Sequence, residues 1–213
     1  MAQRQVTTGR SFERLVNFSD GVVAVAVTVL VLPIVDIAPP KPPQDMWDVI
    51  VANSGQLIAY LITFYVVLML WLAHHRLFSY LGGYDSILVA LNSIWLVTLA
   101  LLPWPSNLIE DVQSFTSGVG VLYFGLMTVN SLSLTLMFTY SSRHKDLWAP
   151  GVVAPPNSNT RGWIFFGILS ALTISSLVAP WLTPFLTIAL PVLSIVIPKR
   201  KPVAASDSDV GEA

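Results

Sequence analysis

Residues 14–32 read RLVNFSDGVVAVAVTVLVL, a polar start followed by an apolar run that only Thr28 interrupts. A bilayer core about 30 Å thick needs about 20 apolar residues in a helix that rises about 1.5 Å per residue. The stretch from about Leu15 to Val35 meets this requirement. It therefore predicts a first membrane span, with Arg14 and Asp20 at one end.

The rest of the chain is also rich in apolar residues and poor in charged ones. It is 213 residues long, 54% hydrophobic and 11% charged, whereas soluble domains carry about 25% charged residues. A soluble enzyme is thereby excluded, and the absence of Cys excludes disulfides and thiolate metal sites. We predict an all-α membrane protein with six transmembrane helices, at about residues 15–35, 49–73, 85–104, 118–140, 162–179 and 182–197. Residues 1–198 would form this domain, and residues 199–213 a disordered tail, first basic and then acidic.

The basic residues are distributed unequally between the two sides that these spans define. With the N-terminus inside, ten of the eleven Lys and Arg residues are cytoplasmic and only Lys41 is external. This is the positive-inside distribution, so both termini are predicted to be cytoplasmic. The N-terminal dozen residues lack the features of a cleaved signal peptide. The cytoplasmic residues are Arg4, Arg10, Arg14, Arg76, Arg143, Lys145, Arg161, Lys199, Arg200 and Lys201.

Polar side chains gather at the predicted cytoplasmic ends of the first three spans. They are Arg14, Asn17, Ser19, Asp20, Trp71, His74, His75, Asn92 and Ser93. They could anchor the helices at the interface, or form a buried hydrogen-bonded network around Asp20. Asp20 favours the network, because it lies about 9 Å deeper than Arg14 along the helix. His74 and His75 fit either interpretation, and Trp71 also fits the interfacial aromatic belt. Trp95, in mid-span, is expected to pack between helices.

The first span has two different faces. At about 100° per residue, Thr28, Val29 and Leu32 fall within about 60° of Val25. Asp20 lies about 140° from Val25, and Val23 about 160° from it. By periodicity alone, the Val25 face is a stripe that contacts lipid or another helix. A direct pair between Arg14 and Asp20 would need a bend or a neighbouring helix.

The segment from Arg14 to Gly21 fits the pattern R-x-x-x-F-S-D-G and resembles the transmembrane protein 175 family of potassium channels. The string WLAHHRLF at residues 71–78 and the spacing from Asn92 to Pro103 are also similar to that family. The resemblance implies a pore lined by the first helix, without the TVGYG filter of other potassium channels. It also implies a structural network behind the pore. The network residues are Arg14, Phe18, Ser19, Asp20, His74, His75 and Asn92.

The family pattern also assigns roles along the pore face. Val25 falls at the tightest apolar constriction, followed by further apolar layers at Val29 and Leu32, which together would form the gate. Thr28 falls at the position associated with potassium preference. Asp36 would concentrate cations at the outer mouth, although it could equally be an ordinary solvated loop residue. Val25 is smaller than the Ile or Leu usual in relatives, which predicts a wider or less tightly closed pore.

The predicted function is passive conduction of monovalent cations with a preference for potassium. The resemblance implies a homotetramer in the prokaryotic plasma membrane, in contact with lipids. No cofactor or metal beyond the permeating potassium is expected, nor any nucleic-acid partner or enzyme activity. Two alternatives remain at this stage, a secondary cation transporter and a non-conducting membrane scaffold. A transporter would need repeats and a charged midplane site, and neither is evident.

Overall fold

A computed structural model describes residues 5–109, 118–152 and 159–183. Within these ranges the chain is mostly helical, with one two-stranded antiparallel sheet. The helices are α1 (Arg10–Val29), α2 (Leu32–Val35), α3 (Met46–Ala52), α4 (Ser54–Phe78), α5 (Ser86–Leu101), α6 (Pro103–Asn107), α7 (Val119–Arg143) and α8 (Thr160–Val178). Short 3₁₀ turns follow at Lys145–Leu147 and Pro180–Leu182.

Five helical segments of the described chain are long and apolar enough to cross a membrane. They are Arg10–Val35, Ser54–Phe78, Ser86–Asn107, Val119–Arg143 and Thr160–Val178. These segments correspond to the first five predicted spans. Of the sixth, at about residues 182–197, only residues 182 and 183 are described, and the tail at 199–213 lies outside the described residues. The chain is thus a multi-pass helical membrane protein.

The first span continues past Pro33, but with a break. Proline has no N–H, so the carbonyl of Val29 loses its usual donor four residues on. Beside this position, the Val31 N–H bonds to the Thr28 carbonyl (3.3 Å) and the Ile34 N–H bonds to the Val31 carbonyl (2.9 Å). The backbone therefore turns more tightly between α1 and α2, and the helix resumes up to Val35.

The second span begins later than the predicted Val49. Residues 46–52 form the separate helix α3, which starts with a capping box in which Asp45 and Asp48 each accept the other's backbone N–H. Two orphan amide donors are satisfied in this way. Asn53, whose backbone is not helical, separates α3 from α4, and α4 runs from Ser54 to Phe78. His74 and His75 consequently lie within the helix, in its last turns.

Helix α7 occupies the centre of the described bundle. It packs along both α5 and α8, while α1 lies against α5. Half of the most apolar stretch of α7 is buried, compared with 22% for α1 and for α4. The apolar surfaces of α1 and α4 are therefore largely uncovered by the other described helices.

One end of the bundle is tied together by short backbone pairings. Strand β1 (Thr7–Thr8), just before α1, pairs with β2 (Gly83–Tyr84) in the turn between α4 and α5. Leu81 in that turn also pairs with Trp148, which follows α7. A side chain at Gly83 would place its Cβ 2.9 Å from the Thr7 carbonyl oxygen. Glycine is required there because the N-terminal strand approaches so closely.

The described basic residues, with the exception of Lys41, lie near this tied end. They are Arg10, Arg14, Arg76, Arg143, Lys145 and Arg161, in the first or last turns of the helices or in the adjoining turn. We call this the basic end, and we call the opposite end, which carries Asp36 and Lys41, the acidic end.

Candidate ion-conduction site

Helix α1 exposes one face and buries the other, in the pattern that its periodicity predicts. Val25 is 63% exposed and Leu32 52%, and Thr28 is exposed beside them. On the opposite face, Val23 is only 6% exposed and Ala26 5%. A face this apolar on a membrane span contacts lipid, another subunit or a narrow pore.

The buried face of α1 is held by a chain of hydrogen bonds from two neighbouring helices. His74 Nε2 in α4 lies 2.8 Å from Asn92 Oδ1 in α5, and Asn92 Nδ2 lies 2.9 Å from Ser19 Oγ. Ser19 Oγ in turn donates to the Leu15 carbonyl (2.9 Å). Ser19, His74 and Asn92 are all buried.

The donors in this chain have a single consistent direction. The Ser19 hydroxyl proton is used on the Leu15 carbonyl, so Ser19 accepts from the Asn92 amide. The Asn92 oxygen therefore faces His74, and His74 Nε2 carries the proton that it donates. This chain of hydrogen bonds fixes the rotation of α1 about its axis, because only one face of α1 presents Ser19.

Asp20 is held by a second contact. The indole N–H of Trp71 in α4 donates to Asp20 Oδ1 at 2.8 Å. His75 stacks on Trp71, with ring centroids 5.3 Å apart. Both side chains are half-buried, and an indole N–H and a carboxylate inside a membrane span each need such a partner.

The structure brings together some of the predicted network residues and not others. Ser19, His74 and Asn92 are joined by one chain of hydrogen bonds. Asp20 is not part of that chain and instead accepts the hydrogen bond from Trp71. His75 is exposed and adds only its stacking on Trp71. Among the described contacts, the exposed residues Arg14 and Phe18 take no part in these hydrogen bonds, and no ion pair joins Arg14 to Asp20. Phe18 is 64% exposed, because it lies on the Val25 face of α1 rather than on the face that carries Ser19.

Trp95 packs between helices, as predicted from its mid-span position. It is fully buried and stacks on His74, with ring centroids 4.1 Å apart. This contact was not foreseeable from spacing, because the two residues come from different helices. The indole thus covers one side of the imidazole that supports α1.

Other buried polar groups link helices without forming a charged site. Asn130 Nδ2 in α7 donates to the Trp95 carbonyl (2.8 Å) and to Thr98 Oγ1 (2.9 Å) in α5. Ser133 donates to the Leu91 carbonyl. Such neutral bonds hold membrane helices together. Within the described ranges, no group of three or more His, Asp or Glu side chains could hold a metal ion.

Thr28 presents an oxygen acceptor on the exposed face of α1. Its hydroxyl donates to the Val25 carbonyl at 2.7 Å, so its proton is committed to the backbone. The lone pairs of the oxygen are then available to a cation. One turn further on lies the break at Pro33, and Asp36 caps the end of α2 as an exposed residue.

Asp20→Ala should lower the yield of folded protein before it changes any ion preference. The substitution leaves the Trp71 indole N–H without its acceptor, at a cost of about 1–3 kcal/mol. The measurement is the detergent-extracted yield and apparent melting temperature, followed by ion selectivity of the surviving protein. Trp71→Phe, which removes the donor instead, should lower stability similarly. A stable Asp20→Ala protein with altered selectivity would contradict a structural role.

The fold and this face of α1 define a class, the multi-pass helical membrane proteins with an exposed stripe on their first span. Residues 14–103 match the family model described as Endosomal/lysosomal potassium channel TMEM175. A protein of Streptomyces collinus, named as a potassium channel, is 33% identical over 153 residues, which cover 70% of this chain and 73% of that protein. This chain therefore belongs to the TMEM175 family, as the resemblance predicted.

Animal relatives and solved structures extend the comparison. The human Endosomal/lysosomal proton channel TMEM175 is 31% identical over 142 residues, covering 66% of this chain and 28% of its own length. The chain thus spans little more than a quarter of that relative. A TMEM175 homolog from Chamaesiphon minutus, described as a lysosomal potassium-selective channel homolog, has the same fold, with a TM-score of 0.68 at 20% identity over 87% of this chain and 96% of that one. The potassium channel MtTMEM175, in its T38A variant, gives a TM-score of 0.60 at 19% identity, covering 92% and 95% of the two chains.

Proposed function

We propose that this chain is a subunit of a potassium-preferring cation channel whose pore is lined by α1. The observation that carries the proposal is the division of α1 into an exposed apolar face at Val25 and a buried face at Ser19 and Val23. The hydrogen-bond chain on the buried face presents the other face outward in a fixed orientation. The names of the bacterial relatives as potassium channels support the choice of ion.

The gate in this proposal is apolar. Rings formed by Val25, Val29 and Leu32 from several subunits would surround a narrow bore, and such a bore stops ions when it loses its water. These three side chains are exposed in the single chain, so they are free to meet their counterparts. Since Val25 is small, its ring would close less tightly than one of Ile or Leu.

Thr28 would provide the selectivity. Its hydroxyl proton is bonded to the Val25 carbonyl, so a ring of Thr28 oxygens would face the bore as acceptors. Potassium holds its hydration shell less tightly than sodium, and a ring that replaces only part of that shell favours potassium. Asp36, exposed at the end of α2 in the same span, would raise the local cation concentration at the mouth.

The complete topology in this proposal has six spans with both termini in the cytoplasm. Residues 1–198 would form the channel domain, and residues 199–213 a disordered tail. The clustering of described basic residues at one end supports a cytoplasmic basic end. The bacterial relatives support placement in a plasma membrane. The permeant ion is potassium, and the mechanism uses no cofactor and no partner beyond lipids, monovalent cations and other copies of the chain.

A homotetramer is the expected assembly, since one pore helix per chain cannot enclose a pore alone. Native mass measurement of the protein in mild detergent should give four copies of the chain, 23.3 kDa each. A C2 dimer or a monomer at the same concentration would exclude the four-fold pore. Chemical cross-linking in native membranes provides the check against dissociation by detergent.

The test of the function is cation flux from purified protein in liposomes, with potassium compared with sodium. The wild-type protein should pass both ions at channel rates and prefer potassium. Thr28→Ala should still conduct but lose about fivefold in the potassium-to-sodium ratio, equivalent to about 1 kcal/mol. Slow saturable exchange would indicate a transporter, and an assembled protein without flux would indicate a scaffold.

A further inference from the structure

An apolar groove of about 340 Å³ opens at the acidic end of the described chain. Its walls come from α2, from the proline-rich loop after it, from α3 and from the start of α4. Every residue in its lining is apolar. The principal ones are Ile34, Ile37, Pro39, Val49, Ile50 and Leu57.

The groove lies behind the proposed pore helix. Within α2, Ile34 follows Leu32 by two residues, which places the two side chains about 160° apart around the helix. It is half-buried, whereas Leu32, two residues earlier, is 52% exposed. An occupant of the groove would therefore contact α2 on the side opposite the proposed bore. Since the turn at Leu30 and Val31 separates α2 from α1, such contact would support the segment that carries Leu32.

The surroundings of the groove point to a lipid tail as its occupant. Leu57 in the groove wall is followed on α4 by the exposed residues Ile58 (56%) and Leu61 (62%). The groove thus adjoins the exposed apolar surface of a membrane span, from which an acyl chain of the bilayer can enter it. Its volume corresponds to about eleven groups the size of a water, at about 30 Å³ each, which is room for much of one acyl chain.

Residues of both charges are next to the groove lining in the sequence. Lys41 follows the lining residue Pro40, and Asp45 precedes the lining residue Met46. Asp45 and Asp48 each use one carboxylate oxygen in the capping box of α3, which leaves the other oxygen for a ligand. A headgroup that carries both a phosphate and an ammonium group complements a lysine beside carboxylates.

We infer that this groove binds one acyl chain of a phospholipid with an ammonium headgroup, of the phosphatidylethanolamine class. The headgroup phosphate would face Lys41 and its ammonium the free carboxylate oxygens of Asp45 and Asp48. The binding itself does not depend on the proposed channel function. Its consequence, support of Leu32 in the outer pore, rests on that function.

The test compares two neighbouring substitutions on α3. Ile50 lines the groove, whereas Val51, 56% exposed, does not. Phosphatidylethanolamine is titrated into delipidated whole protein, and bound lipids per chain are counted by native mass spectrometry. Ile50→Trp should weaken binding about tenfold by filling the groove, while Val51→Trp should bind as the wild type does. Equal binding by Ile50→Trp and the wild type would overturn the proposal.

Two further arms make the result specific. Ala38 lines the groove from the loop after α2. Ala38→Phe should weaken lipid binding as Ile50→Trp does, and it replaces Ile50→Trp as the test variant if that protein does not fold. Phosphatidylglycerol, which lacks the ammonium group, should bind about tenfold more weakly than phosphatidylethanolamine, and equal binding of the two would refute the headgroup assignment. Absence of bound lipid in the wild-type protein, as expected if a second copy of the chain covers the groove, would also refute the proposal. If the proposed channel function is wrong, the flux measurement will show it, and the number of bound lipids per chain will be unchanged.

Discussion

Val25→Asn is expected to raise potassium flux through the reconstituted protein by about tenfold. A ring of amides at the proposed Val25 constriction would keep water in the bore, which would lower the barrier by about 1.4 kcal/mol. Val25 is 63% exposed in the single chain, so the substitution should not disturb the packing of the subunit. Single-channel recording or liposome flux measures the effect. Val25→Ala should raise flux as well, since it widens the ring.

The control for this prediction is the matched change at Val23. This residue is 6% exposed, on the face of α1 that packs into the subunit. Val23→Ala should lower stability by about 1–2 kcal/mol through the cavity that it leaves, without changing flux per channel. If Val23→Ala alters conduction as much as Val25→Ala does, the pore face has been misassigned.

The division of α1 into two faces was predictable because it depends only on helix geometry. A rotation of about 100° per residue separates Val23 from Val25 whatever surrounds them. Whether the helix continues past Pro33 does not follow from helix geometry alone. Proline removes one donor, and neighbouring N–H groups from Val31 and Ile34 find carbonyls three residues back instead of four. That local rearrangement is not encoded in hydropathy.

The start of the second span could not be read from apolar content. Residues 49–52 are as apolar as the span that follows, so hydropathy merges α3 with α4. The separation comes from the capping box of Asp45 with Asp48 and from the break at Asn53. An Asp at the N-cap followed three residues later by a carboxylate indicates a helix start, but it does not indicate that the helix ends at Ala52.

For the network behind α1, part of the membership was predictable from the sequence, but the pairing of its residues was not. Clustering of polar residues at one depth of three spans predicts that they meet, and Ser19, Asn92 and His74 do meet. Which residue pairs with which depends on the rotation of α4 and α5, and this is set by packing across the whole bundle. Asp20 accordingly pairs with Trp71 rather than Arg14. The contacts between subunits lie beyond a single chain and stay predictions.

Asn92→Leu should cost the protein about 2–3 kcal/mol of stability. Leu has nearly the shape of Asn, so the loss comes mainly from polar groups left without partners. The His74 N–H loses its acceptor, and Ser19 loses the donor that joins α1 to α5. Each such buried group costs about 1–3 kcal/mol. In a chain of this size the apparent melting temperature should fall by about 5–10 °C.

The neighbouring residue supplies a matched control for this prediction. Ser93 is exposed, and its hydroxyl bonds only to the Val89 carbonyl of its own helix, so Ser93→Ala should leave the melting temperature nearly unchanged. Channels that assemble despite Asn92→Leu should keep the wild-type potassium-to-sodium ratio, because Asn92 lies behind α1 and not on the Val25 face. An Asn92→Leu protein that melts like the wild type would mean that packing alone fixes the rotation of α1. The hydrogen-bond chain from His74 to Ser19 would then have no part in presenting the exposed face.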